Sequence, residues 1–163
     1  MSAMIKLQRI GHILINVRDV ERSKAFYTDV LGFKVLEQDP GHGGGVFLSL
    51  GEYGNTLDIF PSANPDAYPQ PKPGVGRREG LGVKHMAFAV ENEAELTKAY
   101  FALKDAGVSI HRAIDHTSQK SIYFYDPDDN LLEIVWERPN AQEIFRRGRG
   151  DNDMPITFDQ RGS

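Results

Sequence analysis

The sequence predicts an α+β fold built from two βαβββ modules with their helices outside the sheets. Two segments carry that expectation: GHILINVRDVERSKAFYTDVLGFKV from Gly11, and KHMAFAVENEAELTKAYFALKDAGVSI from Lys84, each reading strand, helix, glycine, strand. Marker residues recur in order. His12 lies 20 residues before Gly32 and His85 lies 22 before Gly107, while Gly32 to Asp58 and Gly107 to Glu133 are both 26 residues. Asn55 and Asn130 each stand three residues before their acid.

Each element has its own local reason. Residues 9–17 alternate apolar and polar as a half-buried strand does, and residues 20–31 follow as a helix. Gly32 sits where a helix end wants left-handed backbone. Strands at 33–38, 45–50 and 55–60 complete module 1, residues 8–61. Residues 62–80 read as an irregular connector, since Pro61, Pro65, Pro69, Pro71 and Pro73 deny it regular structure. In module 2, residues 81–138, a strand at 83–90 precedes a helix at 93–106. Leu96, Ala99, Tyr100, Leu103 and Ala106 form one apolar stripe at helical spacing. Asn92 caps that helix with Glu95 at the third position, and Gly107 ends it. Strands at 108–113, 119–125 and 130–137 close the module. The tail, residues 139–163, becomes polar and aperiodic from Gly148, so it is either mobile or pinned by docking.

Composition bounds the function. With 163 residues, 40% of them hydrophobic, the chain suits one compact domain that buries roughly two-thirds of its unfolded surface. It has no cysteine, which excludes disulfides, thiolate metal sites and a cysteine nucleophile. No apolar run reaches membrane-spanning length, and Met1 to Gln8 lack the apolar core of a secretory signal. A cytoplasmic protein without membrane partners is expected. The net charge is −4, and the cluster Arg146, Arg147 and Arg149 is too small for a nucleic-acid footprint.

Strand alternation sorts the polar residues. His12, Leu14 and Asn16 oppose Ile13, Ile15 and Val17; His85, Ala87 and Ala89 oppose Met86, Phe88 and Val90; Leu131, Glu133 and Val135 oppose Leu132, Ile134 and Trp136. The bulkier set packs under the helices. The other set carries one titratable residue per strand, and Asp58 obeys the same rule between Leu57 and Ile59. Two such sheets curled together would aim His12, Asp58, His85 and Glu133 into one cavity. A buried carboxylate without a cation is unfavourable, and a divalent metal removes that penalty. His42, in a glycine-rich stretch, reads as part of a turn, and His111 as a structural strand residue.

At these residues the chain resembles the vicinal oxygen chelate superfamily, also called the glyoxalase, bleomycin-resistance and dioxygenase superfamily, over residues 8 to about 138. The resemblance implies that the two modules pair into a curved eight-stranded half-barrel around a metal. Family ligands come from the first and last strands of modules, which map to His12, His85 and Glu133. The run IDHTSQKSIYFYDPDDNLLE, from Ile114 to Glu133, resembles the signature of single-domain type I extradiol ring-cleaving dioxygenases. Its glycine is replaced by Asp129, a residue that tolerates left-handed backbone. Two imidazoles and one carboxylate form the facial triad of non-haem Fe(II) oxygenases, leaving open positions for a catechol-type aromatic diol and O₂. Tyr123 would then reach a substrate oxygen, and His116 would orient it or donate a proton.

The resemblance also implies an acid–base histidine shortly before His85, yet residues 66–84 contain none. Either His116 does that work, or His42 does, or the substrate is not a simple catechol. Other members of the resemblance imply other functions. One is a glyoxalase-like lyase or isomerase with Asp58 as fourth ligand to Mn, Ni, Zn or Co acting as a Lewis acid. A small-molecule-binding resistance protein and a thiol transferase of the fosfomycin-resistance type complete the set. A homodimer is the expected assembly for related folds.

Overall fold

The structure, a computed structural model, describes residues 8–39, 41, 43–51, 54–67, 82–148, 150 and 152–158. His42 and most of the proline-rich connector lie outside the described residues. The described residues divide into two compact units, one up to residue 67 and one from residue 82.

The first unit runs β1 (Ile13–Val17), α1 (Val20–Ala25), β2 (Lys34–Asp39), β3 (Gly45–Ser49) and β4 (Leu57–Pro61). Asp19 caps α1 by accepting a hydrogen bond from the Arg22 amide at 3.0 Å. The helix expected to Leu31 is α-helical only to Ala25 and continues as a wider π-helical turn over Phe26–Val30. Within the wider turn Tyr27 is fully buried, edge-on to Phe26 and Phe33. Gly32 adopts φ 77°, as a helix end requires. The sheet order is β1-β4-β3-β2, with β1 parallel to β4 and the other pairs antiparallel.

The second unit repeats this topology with β5 (Met86–Ala89), α2 (Glu93–Asp105), β6 (Ile110–Asp115), β7 (Gln119–Tyr125) and β8 (Leu131–Glu137). The Asn92 side chain accepts from the Glu95 amide at 2.9 Å, which makes the expected cap. Leu96 and Leu103 of α2 are buried, and the apolar face beneath the helices comprises Met86, Ile122, Phe124, Leu132 and Ile134. The repeat extends to irregularities: register shifts interrupt β2 between Val35 and Glu37 and β6 between Ile110 and Arg112. Leu36 and His111 therefore occupy matching bulges, each four residues beyond the helix-ending glycine. His111, read from the sequence as a structural strand residue, packs its ring 5.5 Å from that of Tyr125.

Two further elements follow, α3 (Ala141–Arg147) and the short strand β9 (Met154–Pro155). The sequence gives no sign of β9. It adds to the edge of β6, so the second sheet has the order β5-β8-β7-β6-β9, and Ile156 donates to the Ala113 carbonyl at 3.0 Å. Phe158 stacks on Tyr100 with centroids 4.4 Å apart. The described part of the tail is thus docked. Both sheets are open among the described residues, and no helix there is long and apolar enough to cross a membrane.

Candidate metal and proton-transfer site

The register of the second sheet determines which side chains share its polar face. Ala87 pairs with Glu133, Glu133 with Tyr123, and Tyr123 with Arg112. Paired residues point the same way, so Glu133, Tyr123 and Arg112 line one face. His85, two residues before Ala87, joins them: its Nε2 lies 2.9 Å from Glu133 Oε2. Gln119, on the same face of β7, reaches Glu133 Oε1 through its Nε2 at 3.4 Å.

Tyr123 is the hinge of the arrangement. Its ring stands edge-on to His85 at 5.7 Å and to His116 at 6.0 Å, and the Arg112 guanidinium lies 4.8 Å from its centroid. Its hydroxyl is 3.0 Å from His116 Nε2. Burial, and next the charge of Glu133, push the Tyr123 pKa above the ordinary tyrosine value. The phenol therefore keeps its proton at neutral pH and acts as a hydrogen-bonding group, not as an anion.

His116 occupies the turn from β6 to β7. Its carbonyl accepts from the Ser118 amide at 2.7 Å and its amide donates to the Gln119 carbonyl at 2.8 Å. Between them Thr117 is held at φ 69°, an unusual conformation for a β-branched residue. Asp115 accepts from the Thr117 amide at 2.9 Å and from the Arg138 guanidinium at 2.6 Å, which ties the turn to the end of β8. The other imidazole nitrogen of His116, Nδ1, lies 2.8 Å from Asp153 Oδ1, immediately before β9. Nothing in the aperiodic tail marks Asp153 as part of a site. Arg112 and Gln119 are legible only through their register with Tyr123.

The first unit presents the counterpart face. His12 Nε2 is 3.7 Å from Asp58 Oδ2, with the histidine half-exposed and the acid buried. Asn55 Nδ2 donates to both oxygens of Asp58, at 2.7 and 2.9 Å. The matching Asn130 does not serve Glu133; its side chain donates to Asp126, in the turn before β8. Equal spacing in the two modules thus yields different partners, and the side-chain amide that reaches Glu133 is that of Gln119, at 3.4 Å. Glu133 is only 2% exposed. The candidate ligands are brought together as pairs within each unit, and among the described residues no group of three His, Asp or Glu side chains forms a metal-holding cluster.

Comparison with known proteins fits the duplicated topology. Residues 9–134 match the model of the Glyoxalase/Bleomycin resistance protein/Dioxygenase superfamily. A catechol-2,3-dioxygenase of Bacillus subtilis is 28% identical over 96% of the chain, which spans 50% of that enzyme's length. A metallothiol transferase, FosB, of Staphylococcus saprophyticus is 31% identical over 78% of the chain and 76% of its own length. Among solved structures, a glyoxalase/dioxygenase from Nostoc punctiforme superposes with a TM-score of 0.68 at 24% identity, covering 85% of this chain and 97% of that one.

Proposed function

We propose, on the premise that this chain belongs to the Glyoxalase/Bleomycin resistance protein/Dioxygenase superfamily, that it is an Fe(II)-dependent extradiol dioxygenase acting on a catechol-type aromatic diol. The observation that carries this reading is the buried Glu133–His85 pair sharing a face with Tyr123, whose hydroxyl meets His116. Members of the superfamily include ring-cleaving dioxygenases, and their names also include lyases and fosfomycin-resistance enzymes.

The residues fit a divalent metal. A carboxylate as deeply buried as Glu133 needs strong compensation, and the 3.4 Å contact from Gln119 is a weak donor. His85 Nε2 and Glu133 Oε2, 2.9 Å apart, are a neutral-nitrogen and a carboxylate donor close enough together that both would hold one divalent ion. The repeat makes His12 the counterpart of His85, and we assign it as the third donor. When bound, Fe(II) supplies open coordination positions for the diol oxygens and O₂.

The chain's own groups do the rest. Tyr123 presents its oxygen to a substrate hydroxyl and passes a proton to or from His116, whose Nε2 meets its hydroxyl. This route gives His116 the acid–base work for which residues 66–84 offer no histidine. The Arg112 guanidinium over the Tyr123 ring and the two edge-on imidazoles hold the phenol in place. Asp58, already bonded through both oxygens to Asn55, is the poorer candidate for a fourth ligand, which weighs against the lyase reading.

The test is purification under nitrogen, metal analysis, and mixing of iron-loaded protein with a panel of catechols in air. Bound iron and a yellow ring-fission product are expected. A preference for nickel, zinc, cobalt or manganese, no colour from any diol, and turnover of a thiol hemiacetal or of a thiol with fosfomycin would replace this reading with the lyase or transferase one.

A further inference from the structure

We propose that Asp153 is a positioning residue that sets the tautomer of His116 and so the direction in which protons move through Tyr123. The structural part stands on the geometry alone; its catalytic consequence rests on the dioxygenase reading above.

The chain of contacts runs from Asp153 Oδ1 to His116 Nδ1 at 2.8 Å, and from His116 Nε2 to the Tyr123 hydroxyl at 3.0 Å. The Nδ1–Oδ1 contact is a close charge contact outside hydrogen-bond geometry, and a carboxylate oxygen at that distance repels a lone pair, so the nitrogen facing Asp153 carries the proton. A neutral imidazole protonated at Nδ1 has its lone pair on Nε2. Tyr123 therefore donates its hydroxyl proton to Nε2, and the Tyr123 oxygen remains free to accept from a substrate hydroxyl. Transfer then balances in two linked steps. The diol O–H bond breaks as an O–H bond forms on Tyr123, while the original Tyr123 O–H bond breaks as an N–H bond forms on Nε2. The diol becomes its monoanion, His116 becomes imidazolium, and the Asp153 carboxylate offsets the new charge. The reverse sequence returns the proton to the product. With the opposite tautomer Nε2 already holds a proton and has no room for the one that the diol must lose.

The fold delivers Asp153 to this position by a device separate from the repeat. Met154 and Pro155 pair with Asp115 and Ile114, Ile156 bonds to Ala113, and Phe158 stacks on Tyr100. These contacts anchor the segment that bears Asp153 along the strand that leads into His116. On the facing side, the left-handed backbone at Thr117 and the Asp115–Arg138 bond hold the turn that carries the imidazole. The C-terminal segment is thereby part of the site.

The tautomer is read directly by ¹⁵N NMR of histidine-labelled, chelator-treated full-length protein, with His116→Gln used to assign the resonance. The parent is expected to show His116 protonated at Nδ1, Asp153→Ala to shift it to Nε2–H or a mixture, and Asp153→Glu to restore it in part. Asp153 is half-exposed, so neither change should alter the melting temperature. In the iron-loaded enzyme Asp153→Ala should lower kcat on the order of tenfold to a hundredfold, with KM for the diol within about twofold of the parent. An Nε2–H tautomer in the parent, or an unchanged tautomer in Asp153→Ala, would overturn the assignment. Should the tautomer respond as expected while no diol is cleaved, the assignment stands and the dioxygenase reading falls.

Discussion

Thr117 and Asp129 are the two described non-glycine residues with positive φ, at 69° and 62°, and they bracket strand β7. Asp129 relieves its strain chemically, because a short polar side chain tolerates the left-handed region, and its amide donates to the Asp126 carbonyl at 3.1 Å. Thr117 has a branched β-carbon and no such excuse. Thr117→Gly should therefore raise the unfolding free energy by about 1 kcal/mol in urea melts, whereas Asp129→Gly should leave it within about 0.5 kcal/mol. Because Thr117 adjoins His116, the same Thr117→Gly change should lower kcat by loosening the turn, a trade of stability against activity. Tyr123→Phe separates roles more sharply. It removes the hydroxyl without touching His85 or Glu133, so metal content should match the parent. The rate of diol cleavage should fall by about two orders of magnitude.

Among the elements, α2 and the bulged strands show how local chemistry sets geometry. Asn92 satisfies one orphan amide at the start of α2, and Asn92→Ala should cost about 1 kcal/mol of stability, measured as a shift in denaturant midpoint without a change in slope. The bulge in β6 does more for the site. Two residues there face one on β7, which re-aims the strand so that Arg112 pairs with Tyr123 while His111 meets Tyr125. The tenth residue before Glu133 then falls directly across from it, because Tyr123 and Glu133 are register partners. The spacing of the Tyr123–Glu133 pair in sequence is thus the length of one antiparallel hairpin.

At the scale of the molecule, a metal that binds the native state alone stabilises it by mass action, by about 2.7 kcal/mol at a hundredfold excess over Kd. Addition of Fe(II) under nitrogen should accordingly raise the melting temperature of the parent, and His12→Ala, His85→Ala and Glu133→Ala should each abolish that rise. An undiminished rise in Glu133→Ala would refute the ligand assignment. The repeated βαβββ order, both helix-ending glycines, the cap at Asn92 and the left-handed Asp129 were all readable from the chain, since each rests on periodicity or on backbone preference within a few residues. Alternation, a local rule, also set His85 and Glu133 opposite the bulky apolar residues of their own strands; that Tyr123 shares a face with Glu133 came only from the strand register. The partners of those side chains were not readable from the chain. Asn55 and Asn130 occupy the same repeat position yet bond to different acids, and Asp153 meets His116 across a long separation in the chain. Spacing encodes which way a side chain points, but hydrogen bonds depend on distances of a few tenths of an ångström between strands, and only packing of the folded sheet produces those.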